Sequence, residues 1–258
     1  MKYWLAIVLT VTLPVAATAA VQTETVEYTH NGVVLEGYLA YDDAIEGPRP
    51  GVLVVHEWTG IGDYVRSRCE QLAKLGYVAF AADIYGKGIR PEGPEAASKE
   101  AGKYRSDRPL MRARAQAGLD QLRTYDQVDD TRVAAIGYCF GGGVVLELAR
   151  SGADLNGVVS FHGNLDTPNP DDAKKITGKI LVCHGAADPY VPFEQVQAFW
   201  NEMNNVNVDW RMIAYGNAVH SFTNPASGED ASQGAAYNPE ADRRSWQDMQ
   251  EFFNEIFQ

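Results

Sequence analysis

Six short runs of mostly apolar residues punctuate the chain: GVLVVH from Gly51, YVAFAADIY from Tyr77, RVAAIGY from Arg132, NGVVSFHG from Asn156, KILVCHG from Lys179 and VDWRMIAY from Val208. Several are apolar almost without interruption, which is the pattern of strands buried on both faces. Stretches of helical periodicity separate them at residues 64–75, 110–124 and 193–204, and another, 241–257, closes the chain. Ahead of them ETVEYTH and VVLEGYLAY flank Asn31-Gly32, a strong hairpin signal. An opening hairpin followed by alternating strands and helices predicts an α/β fold, with a mostly parallel central sheet and helices on both faces. No Pro/Ser-rich linker, repeat or low-complexity tract interrupts residues 21–258, so one domain is expected there. In such sheets ligands gather at the carboxyl ends of the strands.

Cys139 falls at one such end, in AIGYCFGGG. An unpaired cysteine is most simply a core residue. Here, however, Gly137-Tyr138-Cys139-Phe140-Gly141 fits the nucleophile-elbow pattern G-x-S-x-G with cysteine in place of serine. The elbow is a strained strand-to-helix turn, and neighbours without a Cβ relieve its crowding. The helix expected after it, GGVVLELAR, points its N-terminus at the sulfur and favours a thiolate.

Asp188 follows KILVCHG, and His220 follows VDWRMIAY. The chain order nucleophile, acid, histidine is that of the α/β-hydrolase fold. In that reading His220 takes the thiol proton and later protonates the leaving group, while Asp188 fixes the imidazole tautomer and stabilises its charged form. Two rivals stand beside it: a small-molecule binding protein on the same fold, and a redox-active thiol. The first would expect a missing triad member, and the second a resolving cysteine near Cys139. His56, His162 and His184 end strands and read as hydrogen-bonding residues at the rim of the site. His30 is a turn neighbour. HEWTG is not H-E-x-x-H, and the glycines match neither a P-loop nor a dinucleotide fingerprint. The chemistry expected here needs no cofactor and no metal.

Lys2, the apolar run from Trp4 to Val11 and Ala17-Thr18-Ala19 make residues 1–20 a signal peptide, removed near Ala19 or Ala20. The apolar run is short for a bilayer span, so a periplasmic or secreted protein with no membrane attachment after processing is expected. The net charge of −12 disfavours nucleic acid and anionic membranes as partners, leaving a small-molecule substrate. Three cysteines in an exported chain leave at least one without an intramolecular partner. Cys69 and Cys183 read as core residues, and spacing alone leaves a bridge between them open.

At GYCFGG, HGAADPYVP, HSF and VVHEWTG, with ADIYG and LAKLGYVAFAAD, the chain resembles the dienelactone hydrolase family from about residue 25 to the end. The resemblance implies a Cys139–His220–Asp188 hydrolase of enol-lactones or other activated carboxylic esters, working through a thioester. It also implies that Glu57 contacts the thiol and that the backbone N–H groups of Trp58 and Phe140 form the oxyanion hole. The family holds its substrate's carboxylate with arginines, one of them four residues after the triad histidine. Asn224 stands there in this chain, and the region of the other arginine offers Lys99, Lys103 and Arg105 without a clear match. The substrate-binding set is read as Tyr85, Asn224, Tyr237 and Arg105, with Trp58 also on the pocket wall. Residues 86–109, rich in Gly, Pro and charge, read as either a cover over the pocket or a surface excursion, with Lys99, Lys103 and Arg105 on a solvated helix face and Arg90 in a loop.

Overall fold

The computed structural model describes residues 21–258, and the expected signal peptide lies outside the described residues. Strands β1 (Val21–His30) and β2 (Val33–Asp42) form the predicted hairpin, with His30 opposite Val33. Asn31 and Gly32 both take positive φ, the turn that matches the twist of the flanking strands. Six further strands follow: β3 (Arg49–Val55), β4 (Val78–Ala82), β5 (Val128–Tyr138), β6 (Gly157–Phe161), β7 (Lys179–Gly185) and β8 (Trp210–Tyr215). They assemble in the order β1-β2-β4-β3-β5-β6-β7-β8. The β1/β2 and β2/β4 pairs are antiparallel and the remaining pairs parallel.

Both faces of the central strands from β3 to β7 are buried, as their apolar runs require. Leu53, Phe80, Ala135, Val158 and Val182 point into one core, while Val54, Ala81, Ile136, Val159 and Cys183 point into the other. The first core is closed by α2 (Gly93–Ser106), α3 (Arg108–Leu122), α4 (Phe140–Arg150) and α5 (Phe193–Asn204). The second is closed by α1 (Asp63–Lys74) and α6 (Pro239–Ile256), which are tied together by an Arg68–Asp242 ion pair.

Within residues 86–109 the chain forms α2, the helix that carries Lys99, Lys103 and Arg105. Its buried stripe is Ala97, Ala101 and Tyr104, on one face but small. Two alanines give little apolar contrast against five charged neighbours, so the apolar period is weak. Pro94 at the start and Lys103 and Arg105 in the last turn are the end signals of a helix.

The chain turns back on itself at β3. It moves from β3 to β4 on one side and then places β5 on the other side of β3. The helices after β3 and β5, α1 and α4, pack on opposite faces. The connections leaving these two strands therefore diverge, and a crevice opens at their carboxyl ends.

Candidate active site

Cys139 sits in that crevice, between β5 and α4, with φ 54° and ψ −116°. The approach of α4 to the sheet explains the glycines around it. A Cβ on Gly137 would lie 2.0 Å from the Gly141 carbonyl oxygen, and one on Gly141 would lie 2.3 Å from that of Val55. Any side chain at either position would push the helix, and the cysteine at its head, off the strand ends.

The other two residues arrive from strands farther along the sheet. Asp188 follows β7, and its Oδ2 is 2.8 Å from His220 Nδ1. Its Oδ1 accepts from the Tyr190 amide at 2.8 Å, which fixes the carboxylate plane. His220 follows β8 and is held by a bridge to Ala235 in the polar segment ahead of α6. Its Nε2 is 3.0 Å from Cys139 Sγ. Burial opposes a charge on His220, but the sulfur at one ring nitrogen and Asp188 at the other outweigh it. Together they raise its pKa to about 10.

Glu57 follows β3 and shares a cavity of about 520 Å³ with Cys139, His220, Trp58 and Arg105. The expected contact with the thiol is replaced by others: Ser221 Oγ donates to Glu57 at 3.2 Å and Asn224 Nδ2 at 2.7 Å. Burial raises the pKa of this carboxyl, against the pull of those two donors. Asn224, which stands where the family has an arginine, is thus buried and engaged with Glu57 instead of facing a ligand. His56 braces the same turn, its Nδ1 2.6 Å from the Glu57 carbonyl and its Nε2 accepting from the Ile84 amide.

Two residues read as pocket walls belong behind them. Tyr85 is buried and donates to the Trp58 carbonyl at 2.9 Å, supporting the turn after β3. Tyr237 donates to Asp242 at 3.2 Å on α6. Arg105 does line the cavity. It donates to Asn164 at 3.2 Å and lies over the Phe140 ring, and among the described residues no carboxylate pairs with it. Sequence reasoning missed Ser221 and Ser227, which also line the cavity and are hydrogen-bonded to each other at 2.9 Å. Their place depends on Ser221 taking a φ of 58°, which no motif announces.

Among the described residues, neither the Trp58 nor the Phe140 amide donates to a protein acceptor. That of Phe140 is a first-turn N–H, which has no partner within its helix. Cys69 and Cys183 are unpaired and wholly buried in the core under α1 and α6. Burial raises both thiol pKa values, that of Cys183 to about 12. Among the described residues, no group of three or more His, Cys, Asp or Glu side chains could hold a metal ion.

The profile of the dienelactone hydrolase family matches residues 35–257. A solved dienelactone hydrolase-like promiscuous phosphotriesterase from metagenomic libraries, P91, superposes with a TM-score of 0.89 at 42% identity, covering 93% of this chain and 100% of its own. A Synechocystis protein that carries the name "Putative carboxymethylenebutenolidase" is 28% identical over 251 residues, 92% of this chain and 98% of its own. An uncharacterized protein of Caenorhabditis elegans is 38% identical over 150 residues, 57% of this chain and 94% of its own.

Proposed function

Because the chain belongs to the dienelactone hydrolase family, we propose that it hydrolyses carboxylic esters or lactones with Cys139 as nucleophile, His220 as general base and acid, and Asp188 as the group that orients His220. The observation that carries this reading is the hydrogen-bonded row Asp188–His220–Cys139 opening into a cavity that also holds Trp58.

The thiol proton moves to His220 Nε2, and Sγ attacks the carbonyl carbon. The π pair moves to the oxygen, and the Phe140 and Trp58 amides are free to donate to it as an oxyanion. Collapse of that intermediate expels the alkoxide, which takes the proton from His220. Water then gives a proton to His220 and attacks the thioester. The thiolate leaves and is reprotonated. Asp188 keeps the ring in the tautomer that presents Nε2 to sulfur and stabilises the imidazolium in both half-reactions.

Arg105 is the candidate anchor for an anionic group on the substrate, since Asn224 is engaged with Glu57. A charge-assisted hydrogen bond contributes roughly 1.5–3 kcal/mol. Arg105→Met should therefore lower kcat/KM for a carboxylated lactone by about tenfold or more and leave its methyl ester unchanged. Equal losses on both substrates would remove Arg105 from that role. Phosphotriesters are a second candidate class, carried by the likeness to P91.

The test is a panel of esters, lactones and a phosphotriester run with the mature protein and with Cys139→Ala. Hydrolysis of an ester or lactone that Cys139→Ala abolishes supports the reading. Hydrolysis that survives the substitution would sink it. Export with removal of residues 1–20 belongs to the same reading. N-terminal mass analysis from the native host should find a chain beginning just after Ala19 or Ala20, and one beginning at Met1 would refute export.

A further inference from the structure

His162 follows β6, is wholly buried, and takes a φ of 39°. A non-glycine residue in such a conformation is strained and persists only where the surroundings over-determine it. Its own amide donates to the Cys183 carbonyl at 2.8 Å. Its Nδ1 lies 3.1 Å from the Cys139 amide nitrogen, whose N–H also reaches the Phe161 carbonyl at 3.0 Å.

These contacts settle the protonation state of the ring. A backbone N–H can only donate, so Nδ1 must be the unprotonated nitrogen and the proton of the neutral ring sits on Nε2. Nε2 is 2.7 Å from Thr223 Oγ1 and therefore donates to it. Thr223 is in turn held: its hydroxyl shares a 2.6 Å hydrogen bond with Tyr64, and its carbonyl accepts from Arg68 at 2.8 Å. A protonated His162 would set N–H against N–H at Cys139. Burial, and then the neighbouring His220, keep the His162 pKa well below the usual histidine value. The two imidazoles meet edge to face, with ring centroids 5.3 Å apart.

We propose that His162 is a positioning residue for the nucleophile: as a neutral ring protonated at Nε2, it holds the Cys139 amide in the strained elbow and thereby keeps Sγ in line with His220. The inference rests on the reading of Cys139 as nucleophile. Cys139 lies at φ 54°, and with the Phe161 carbonyl as its only acceptor the peptide is free to tilt. A displacement of about 1 Å at a reacting atom costs on the order of a hundredfold in rate.

The experiment sets ring volume against the acceptor. His162→Phe keeps the ring and removes the acceptor. His162→Asn loses the ring, but its Oδ1 stands on the same γ carbon as Nδ1, and asparagine tolerates a left-handed φ. His162→Phe should lower ester kcat by roughly tenfold to a hundredfold with KM little changed, and should slow iodoacetamide alkylation of Cys139 in the absence of substrate. His162→Asn should stay close to wild type in both measurements. A role in packing alone predicts the reverse order, so an asparagine variant as impaired as the phenylalanine one, or more, overturns the proposal.

Thr223→Val is the companion variant if His162→Phe does not fold. It leaves the ring in place but strips the partner from Nε2–H, which favours the wrong tautomer. Unchanged kcat and alkylation in Thr223→Val would also overturn the proposal. Alkylation needs no substrate, so it judges His162 separately from the reading of Cys139, which Cys139→Ala tests.

Discussion

The two ends of α4 both carry buried charge, and they differ in what is left unsatisfied. At the C-terminal end Arg150 is 1% exposed and donates to Glu202, Glu147 and the Leu165 carbonyl. Glu147 also meets Arg112, which bonds Asp172, which accepts from Lys175. Each of these charges faces an opposite one, and a cation suits the negative end of the helix dipole. At the N-terminal end Cys139 stands on strained backbone with the Phe140 amide unused, and the cluster opens on the 520 Å³ cavity. Burial of charge is common to both ends. Open valences beside empty volume distinguish the end proposed to react.

The sharpest break in this comparison is at the N-terminal end. His220→Ala should lower ester turnover by at least about a thousandfold, almost as severely as Cys139→Ala, because the members of such a triad act as a unit. A folded His220→Ala protein with more than a few per cent of wild-type kcat would refute the unit. At the other end Arg150→Met should do the opposite. It leaves Glu147 and Glu202 without their cation and should cost about 3–5 kcal/mol of stability in denaturant titrations. The kcat of the folded fraction should be unchanged, and a loss confined to kcat would show that this network reaches the site.

A third test separates the ends by pH. Burial pushes His56 down from 6.5 to about 4 and lowers His162 and His184 as well. Between pH 6.5 and 4 the unfolded chain therefore binds more protons at these positions. Their stabilisation is complete above the unfolded value and is lost as pH falls. His220 runs the other way: raised to about 10, it stabilises below 6.5 and loses that contribution as pH rises towards 10. Three lowered histidines against one raised predict a smaller unfolding free energy at pH 5 than at pH 7. Flat stability across that range would mean the buried imidazoles accept protons in the folded state.

The smallest effect concerns Glu57, a carboxylate in the same cavity as the thiol. A second negative charge opposes thiolate formation. Glu57→Gln should therefore speed alkylation of Cys139 by iodoacetamide at neutral pH by several-fold. Superimposable rate–pH profiles would leave Cys139 governed by His220 alone.

Much of this was legible before any coordinates, for identifiable reasons. Strand ends are marked by abrupt loss of apolar character, so Cys139, Asp188 and His220 could be lined up by order alone. The glycines beside Cys139 signal the close approach of a helix because no other residue fits there. Hydrogen-bond direction is not written in the sequence. Asn224 was legible as a lost arginine, but its capture of Glu57 depends on the loop after β8 folding back over the turn after β3. His162 looked like a rim residue, and its contact with the Cys139 amide follows from a positive φ that no pattern marks. The extent of α2 is weakly marked because its buried face is two alanines and Tyr104.

The central claim is that Cys139 is the group that reacts, and site-mapped alkylation tests it most directly. The mature protein is treated with iodoacetamide, and the labelled cysteine is located by peptide mass mapping while residual esterase activity is followed. The account predicts one label per chain, on Cys139, with Cys69 and Cys183 untouched in their cores and activity falling in step with labelling. Protein fully alkylated at Cys139 that still hydrolyses the ester would contradict it.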